Sequence, residues 1–199
     1  MHEVAAQTIE RVASTALPTT YGVFQMVVYS AGDGKEHVAL SVGNLQDGQA
    51  VPVRLHSECL TGDVFGSRRC DCGEQLTWTL AYLQEVGRGA LLYLRQEGRG
   101  IGLTNKIRAY ALQEQGLDTV DANLALGLPA DQRDYRVAAA MLRDMGITSV
   151  LLITNNPRKI QGLERYSVHV QERLPVLTPP NRDNQFYLET KRRRMGHLD

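Results

Sequence analysis

The sequence predicts a mixed α/β fold, with an N-terminal β-meander followed by alternating helices and strands. Apolar residues take alternate positions in the first third of the chain and recur with helical spacing in the rest. The 199 residues are 43% hydrophobic and 22% charged, which is typical of a globular protein. Because no linker-like stretch divides the chain, we expect a single domain over residues 1–199.

The first predicted elements are three strands. Phe24, Met26 and Val28 lie at alternate positions, and the same pattern recurs at 38–42 and 51–55. Glycine-containing segments at 32–34 and 44–48 predict the turns between these strands. Short turns between consecutive strands favour an antiparallel meander.

After Cys72 the apolar spacing becomes helical, and glycines mark where the predicted helices end. Gly87, Gly116 and Gly146 are such stops, and Pro157 suits the first position of a further helix. The predicted helices span about 73–86, 103–115, 137–145, 157–163 and 182–195, with buried strands at 90–94 and 150–153.

The charge balance and the apolar runs argue against several classes of protein. Lys and Arg number 22, as do Asp and Glu, whereas a domain that coats nucleic acid is strongly basic. The apolar runs are far shorter than the roughly 18 residues that suggest a membrane span, and no basic segment followed by an apolar one opens the chain. We therefore expect a cytoplasmic protein that binds neither membrane nor nucleic acid. The basic run 191–194 is expected to be a solvated helix end, or else a contact to an anionic partner.

Three cysteines lie close together in the sequence and predict a metal site. An odd number argues against a disulfide framework, and Cys59, Cys70 and Cys72 fall within fourteen residues. Three protein ligands leave a fourth zinc position open, which is the catalytic arrangement. Three buried cysteines without a metal are the alternative. His56 followed by Glu58 resembles the zinc-deaminase pattern, so His56 could replace Cys59 as a ligand, although the later cysteine pair is spaced differently.

Three further segments join strands or turns to helix starts. Residues 97–102 (EGRGIG) form a glycine-rich turn that departs from the dinucleotide pattern but could hold an anion, or could be only a tight turn. Asp131 is explained as the N-cap of the helix at 137, whereas Arg133 in a first helical turn is unusual. Thr154 and Lys159 follow a buried strand, where they could contact a phosphate or purine or only cap a helix.

Taken together, these motifs strongly resemble GTP cyclohydrolase II over nearly the whole chain. The resemblance is carried by 54–63 (RLHSECLTGD), 66–76 (GSRRCDCGEQL), 95–103 (RQEGRGIGL), 105–110 (NKIRAY) and 154–159 (TNNPRK). The family is a group of hydrolases that open the imidazole ring of GTP and release formate and pyrophosphate, in the first committed step of riboflavin biosynthesis. Its product is 2,5-diamino-6-(5-phosphoribosylamino)pyrimidin-4(3H)-one. We expect the monofunctional form, without a preceding dihydroxybutanone-phosphate synthase domain.

The resemblance also implies a role for individual residues. The zinc ligands are Cys59, Cys70 and Cys72, with about one Zn²⁺ per chain. Asp131 is the implied proton acceptor, Arg133 the implied nucleophile toward the α-phosphate, and Tyr110 the tyrosine required for the full reaction. The implied GTP-binding residues are Arg54, Leu55, His56, Ser57, Glu58, Gln75, Glu97, Gly98, Arg99, Thr119, Thr154 and Lys159. The resemblance further implies Mg²⁺ bound with the triphosphate, and a homodimer.

Residue chemistry leaves one of these roles open. A guanidinium is a poor nucleophile because its pKa exceeds about 12, so a covalent role for Arg133 needs a strong base within reach. Asp131 is the candidate, and electrostatic stabilisation of the α-phosphate is the alternative. Two other functions compete with the resemblance: a zinc hydrolase or deaminase acting on another purine nucleotide, and a zinc-stabilised nucleic-acid-binding module.

Overall fold

The computed structural model describes residues 8–198, which form seven strands, seven α-helices and a 3-10 turn at Glu97–Gly100. The strands are β1 (Glu10–Thr19), β2 (Gly22–Ser30), β3 (Glu36–Val42), β4 (Val51–Ser57), β5 (Gly89–Leu94), β6 (Ser149–Ile153) and β7 (His169–Leu174). The helices are α1 (Leu60–Asp63), α2 (Cys72–Val86), α3 (Gly102–Glu114), α4 (Thr119–Ala125), α5 (Arg136–Asp144), α6 (Pro157–Glu164) and α7 (Gln185–Met195). The predicted mixed α/β fold is therefore confirmed.

The described residues form two compact units. The first contains residues 8–56, 77–95 and 134–176, and the second contains 57–76, 96–133 and 177–198. The single domain expected from the sequence remains a prediction. No helix within residues 8–198 has the length and hydropathy needed to cross a membrane.

The first unit is built on one seven-stranded sheet in the order β1-β2-β3-β5-β4-β6-β7. An N-terminal antiparallel meander is present, but it consists of β1, which was not predicted, followed by β2 and β3, and β5 continues it antiparallel to β3. The strand predicted at 51–55 does not join the meander: β4 lies between β5 and β6 and runs parallel to β6. All residues from Val51 to His56 are buried, as a strand in the middle of a sheet covered on both faces requires.

Helices α5 and α6 contribute to the apolar core of this unit. Met141 and Leu142 of α5 and Leu163 of α6 are fully buried with the side chains of the central strands. The predicted helix ends at Gly87, Gly116 and Gly146 are confirmed, and each of these glycines has a positive φ.

The expected N-cap role of Asp131 is wrong. Helix α5 begins at Arg136 with Tyr135 at its N-cap position, so Asp131 precedes the helix by five residues. Arg133 therefore lies outside the helix as well. The unfavourable interaction with the positive end of the helix dipole, which would make an arginine unusual in a first helical turn, does not apply to it. The last helix begins at Gln185, slightly later than predicted, after an Asn181–Asn184 turn.

The second unit consists of short helices joined by loops. Its C-terminal helix α7 carries the basic run 191–194, which was expected to be solvated or to meet an anionic partner. Lys191 is instead nearly buried and pairs with Asp71, whereas Arg194 pairs with Asp118 and Asp121. The expectation of a solvated end is therefore wrong for Lys191, because an acidic side chain of the same unit faces it.

Candidate functional site

The predicted metal ligands lie in the second unit, at the two ends of one loop. Cys59 is at the N-cap position of α1, Cys70 ends the loop, and Cys72 is the first residue of α2. The carboxylate of Asp63 accepts a hydrogen bond from the Cys59 backbone N–H at 2.9 Å, which fixes the first end. The loop between α1 and α2 therefore brings the three thiols together.

The three sulfur atoms fit a zinc ion. They lie within 4.8 Å of one another, and the Cys59 and Cys70 Sγ atoms are 3.7 Å apart. Tetrahedral coordination with Zn–S bonds of about 2.3 Å separates the sulfurs by about 3.8 Å. Among residues 8–198, these cysteines are the only such group of three or more potential ligands. His56 is not a member of that group, which favours the cysteine set over the deaminase-like one.

Glycine is required beside the sulfur atoms. A Cβ on Gly62 would lie 2.9 Å from Cys70 Sγ and 3.2 Å from Cys59 Sγ. A Cβ on Gly73 would lie 2.4 Å from the Gly62 carbonyl oxygen. The two ends of the loop thus pack backbone against backbone. A larger side chain at either glycine would fill the space beside the sulfur atoms.

The environment of the thiols favours one thiolate, at Cys59. Hydrogen bonds from Cys70 and Cys72, together with the nearby ammonium of Lys106, lower the pKa of Cys59. The same neighbourhood raises the pKa of Cys70 and Cys72, because one thiolate disfavours a second beside it. Three thiolates can coexist at this distance only when a metal ion balances their charge.

Lys106 is a site residue that sequence reasoning missed. Its buried Nζ donates to Cys59 Sγ at 3.1 Å and to Glu97 Oε1 at 2.8 Å. Burial opposes its charge, but the hydrogen bond to Glu97 and the Cys59 thiolate outweigh burial and raise the pKa of Lys106. Lys106 lies one helical turn before Tyr110 on α3, and this i, i+4 spacing was the available signal.

Glu97 connects the glycine-rich turn to the metal loop, which is the segment 59–72 that carries the three cysteines. One carboxylate oxygen accepts from Lys106 and from the Gly98 backbone N–H, and the other accepts from the Leu60 N–H at 2.7 Å. Its predicted role in GTP binding is compatible with these contacts, since a carboxylate oxygen can accept more than one hydrogen bond.

The thiols and most of the predicted binding residues of this unit line one pocket. Besides the three cysteines, its walls include the predicted residues Ser57, Glu58, Glu97, Gly98, Arg99, Tyr110 and Thr119. Tyr187 and Lys106 also line it, and neither was predicted. A pocket that joins a metal site to several polar groups is the usual form of a small-molecule site.

Arg99 holds an unusual backbone conformation in the glycine-rich turn. Its φ of 62° lies in the left-handed region, directly after Gly98 with the same φ. Its guanidinium donates to the Thr119 hydroxyl at 3.2 Å, and its carbonyl accepts from the Gln132 N–H at 3.0 Å. The segment around Asp131 is thereby attached to a residue of the pocket wall.

Asp131 and Arg133 form a bidentate ion pair. Arg133 Nε and Nη2 donate to the two carboxylate oxygens at 2.9 and 2.7 Å, and both side chains are nearly buried. Burial alone would raise the pKa of Asp131, but the Arg133 fork outweighs it and the pKa is lowered. The base required by a covalent role for Arg133 is therefore within reach, but it is a weakened base.

Tyr110 keeps its phenolic proton at neutral pH. Burial raises the pKa of Tyr110 to about 12, although the nearby Lys106 ammonium opposes the shift. The Arg69 guanidinium lies 5.1 Å from its ring centroid.

Gln75, a predicted binding residue, donates to Asp71 Oδ2 at 2.6 Å.

The remaining predicted binding residues belong to the first unit, where they cluster at the carboxyl ends of β4 and β6. Arg54 donates to the Ile153 carbonyl at 3.1 Å, and Lys159 donates to the Leu55 carbonyl at 2.5 Å. The Thr154 hydroxyl accepts from the Asn156 N–H at 3.0 Å. The His56 ring stacks on Tyr93 with centroids 5.3 Å apart. The carboxyl ends of parallel strands are where ligands bind in α/β folds.

Comparison with known proteins identifies the family. Residues 10–175 match the family model described as GTP cyclohydrolase II. The chain belongs to the GTP cyclohydrolase II family. All the predicted metal, binding and reacting positions lie inside the matched segment, whereas α7 begins after it.

Two relatives illustrate the range of this family. The chain is 55% identical over 193 residues to a GTP cyclohydrolase-2 of Neisseria gonorrhoeae, covering 97% of this chain and 98% of that protein. It is 56% identical over 191 residues to a riboflavin biosynthesis protein RibBA of Bacillus cereus, covering 96% of this chain. The chain spans about half of that relative, at 48% of its length.

A solved structure also shows some likeness. It is RibBX, a two-domain 3,4-dihydroxy-2-butanone 4-phosphate synthase from A. baumannii, with a TM-score of 0.49 and 20% identity. The likeness covers 85% of this chain and 41% of that one.

Proposed function

We propose that this protein hydrolyses GTP, opening its imidazole ring with release of formate and pyrophosphate for riboflavin biosynthesis. Family membership supports this proposal, and the observation that carries it is the three-thiol cluster in one pocket with Tyr110. The resemblance extends the proposal to a zinc ion held by these thiols, Mg²⁺ bound with the triphosphate, a homodimer and a cytoplasmic location.

The residues of the pocket support separate roles in the reaction at the guanine base of GTP. When bound, zinc would supply a Lewis acid that activates water for attack on the C8 carbon. The Tyr110 phenol, which stays protonated, could donate a hydrogen bond to the imidazole ring nitrogen and make C8 more electron-poor. Lys106 would hold Glu97 and the Cys59 thiolate in place.

The charged groups of the second unit support the chemistry at phosphorus. Arg99 offers a guanidinium in the pocket wall, and Arg133 is a cation held by Asp131. Because Asp131 is a weakened base, we assign Arg133 the electrostatic role of stabilising charge that develops at the α-phosphate. The predicted GTP-binding role of Arg54 and Lys159, which are buried in the first unit, rests on the family resemblance.

The test is an incubation of zinc-loaded protein with GTP and Mg²⁺, in which formate and pyrophosphate are assayed separately. The proposal expects both products in equal amounts. Tyr110→Phe removes one hydroxyl, so zinc content should persist while formate release falls by roughly 10²–10⁴-fold. If the wild-type protein deaminates GTP or releases no formate, the proposed activity is wrong.

A further inference from the structure

Tyr187 lies in the pocket wall although it belongs to the C-terminal helix α7, outside the segment that matches the family model. Every other lining residue of that pocket lies between 57 and 123. The helix therefore adds an aromatic side chain to a site whose metal ligands, Cys59, Cys70 and Cys72, come from much earlier in the chain.

Lys191 ties this helix to the metal loop. Its Nζ donates to Asp71 Oδ1 at 2.8 Å, and the two side chains are 12% and 5% exposed. Asp71 stands between the two ligands Cys70 and Cys72. Lys191 follows Tyr187 by one helical turn, and its Nζ lies 4.5 Å from the centroid of the Tyr187 ring. A buried ion pair with these partners fixes the position of the ring relative to the loop.

A second anchor holds the far end of α7. Arg194 pairs with Asp121 at 2.8 Å and with Asp118, which caps the start of α4. Thr119, the first residue of α4, lines the same pocket and accepts from Arg99. The Arg99 guanidinium lies 5.9 Å from the Tyr187 centroid, so a second cation lies near the ring.

We propose that Tyr187 is a substrate-contacting residue whose ring packs against the purine base of the nucleotide. The inference rests on the proposed function, because the part of GTP that reacts beside the thiols is its base. A planar base has a π-face that stacks on an aromatic ring without regard to its edges. In this arrangement α7 is a wall of the binding site, and Lys191 is a positioning residue for it.

The experiment measures the binding of a non-hydrolysable GTP analogue to the zinc-loaded full-length protein by calorimetry, together with KM and kcat for GTP. Tyr187→Ala should raise Kd by about 5- to 150-fold, which is the range for loss of one base-stacking side chain. Tyr187→Phe keeps the ring and should stay within about threefold of wild type, whereas Tyr187→Leu, which fills the space without a ring, should resemble Tyr187→Ala.

Phe186 provides the matched control. It is the preceding aromatic residue on the same helix, 63% exposed and outside the pocket wall, so Phe186→Ala should leave Kd unchanged. Zinc content and thermal unfolding of each variant report whether the fold is intact. In Tyr187→Ala and Tyr187→Leu, KM should rise more than kcat falls, because binding of the base is what is lost.

Three outcomes would overturn the inference. If wild-type protein binds the analogue and converts GTP, and Tyr187→Ala and Tyr187→Leu bind the analogue as tightly as wild type, only the role of Tyr187 is wrong. If Tyr187→Phe binds as weakly as Tyr187→Leu, the hydroxyl rather than the ring is needed, and base stacking is wrong. If wild-type protein binds no guanine nucleotide, the proposed function fails and this inference fails with it.

Discussion

At the scale of single residues, Arg99 shows how the binding pocket imposes a cost on the backbone. A left-handed conformation costs a residue with a Cβ about 1–2 kcal/mol, and glycine avoids that cost. Arg99→Gly and Arg99→Ala both remove the guanidinium, but only the glycine variant relieves the backbone. We expect the glycine variant to be more stable to urea by about 1 kcal/mol, with equal losses of GTP affinity in both. Equal unfolding free energies would show that the turn is not strained.

The metal ligands give a second prediction at this scale. Cys59→Ser should lose most of the bound zinc, because a hydroxyl is a far weaker ligand than a thiolate. His56→Ala should keep its zinc, since His56 stacks on Tyr93 and is not part of the thiol cluster. Metal analysis of the purified variants measures both. The reverse result, in which His56→Ala loses zinc and Cys59→Ser retains it, would restore the deaminase-like ligand set.

At the scale of elements, a polar contact joins the first two strands to α5. The Tyr29 hydroxyl donates to the Asp144 carboxylate at 2.6 Å, and Arg11 pairs with the same oxygen at 2.7 Å. Burial and this hydrogen bond raise the pKa of Tyr29 to about 12. Burial opposes ionisation of Asp144, but Tyr29 and Arg11 outweigh it, and the pKa of Asp144 is lowered.

The raised pKa of Tyr29 makes its contribution to stability depend on pH. The folded protein resists ionisation of Tyr29, so its contribution is complete below about pH 10, the unfolded value, and is lost as the pH rises toward 12. At pH 7, Tyr29→Phe should lower the free energy of unfolding by about 1 kcal/mol, the value of one hydrogen bond. Urea unfolding should show this difference shrinking above about pH 10. A difference that stays constant would contradict the assignment.

The two strands that sequence patterns missed share a physical cause. Strands β1 and β7 form the two edges of the sheet, and most of their side chains are exposed or half-buried. Alternation of apolar residues arises from burial of one face, so these edge strands carry little of it. The interior strands β2 to β6 bury more side chains and were all predicted, although pairing of β4 with β6 depends on sheet order, which spacing alone does not determine.

At the scale of the whole molecule, the site residues that could be predicted were those in local motifs. The cysteine spacing predicted a metal cluster before any fold was known, and the sulfur positions are compatible with it. For Lys106 the only local signal is its i, i+4 spacing from Tyr110, and its contact to Cys59 joins residues 47 positions apart. Tyr187 carries no local signal, because it reaches the pocket from the C-terminal helix, which Lys191 ties to Asp71, 120 residues earlier. The Asp131 cap was misassigned since an acidic residue before a helix has more than one possible partner, and Arg133 is the one found.

The two reactions proposed for this molecule should separate in its variants. Attack at C8 needs the metal, whereas pyrophosphate leaves from the α-phosphorus, to which Arg133 is assigned. Cys70→Ser should therefore abolish formate release and could still liberate pyrophosphate, leaving GMP. Arg133→Ala should lose pyrophosphate release, and formate as well if phosphate attack comes first. Arg133→Lys keeps the charge without the planar fork and should recover only part of the activity.

A paired time course of formate and pyrophosphate measures this separation. Arg136→Ala is the matched control, because Arg136 lies three residues further on, pairs with Asp134 and has a side chain 40% exposed. Its two product curves should match those of wild type.

Arg133→Ala also leaves the buried Asp131 carboxylate without its bidentate partner. An Asp131→Asn, Arg133→Ala double variant removes that uncompensated charge. If the double variant regains stability but not pyrophosphate release, and Asp131→Asn alone still releases pyrophosphate, the loss belongs to the guanidinium. Wild-type rates of both products in Arg133→Ala would instead make Arg133 a structural residue.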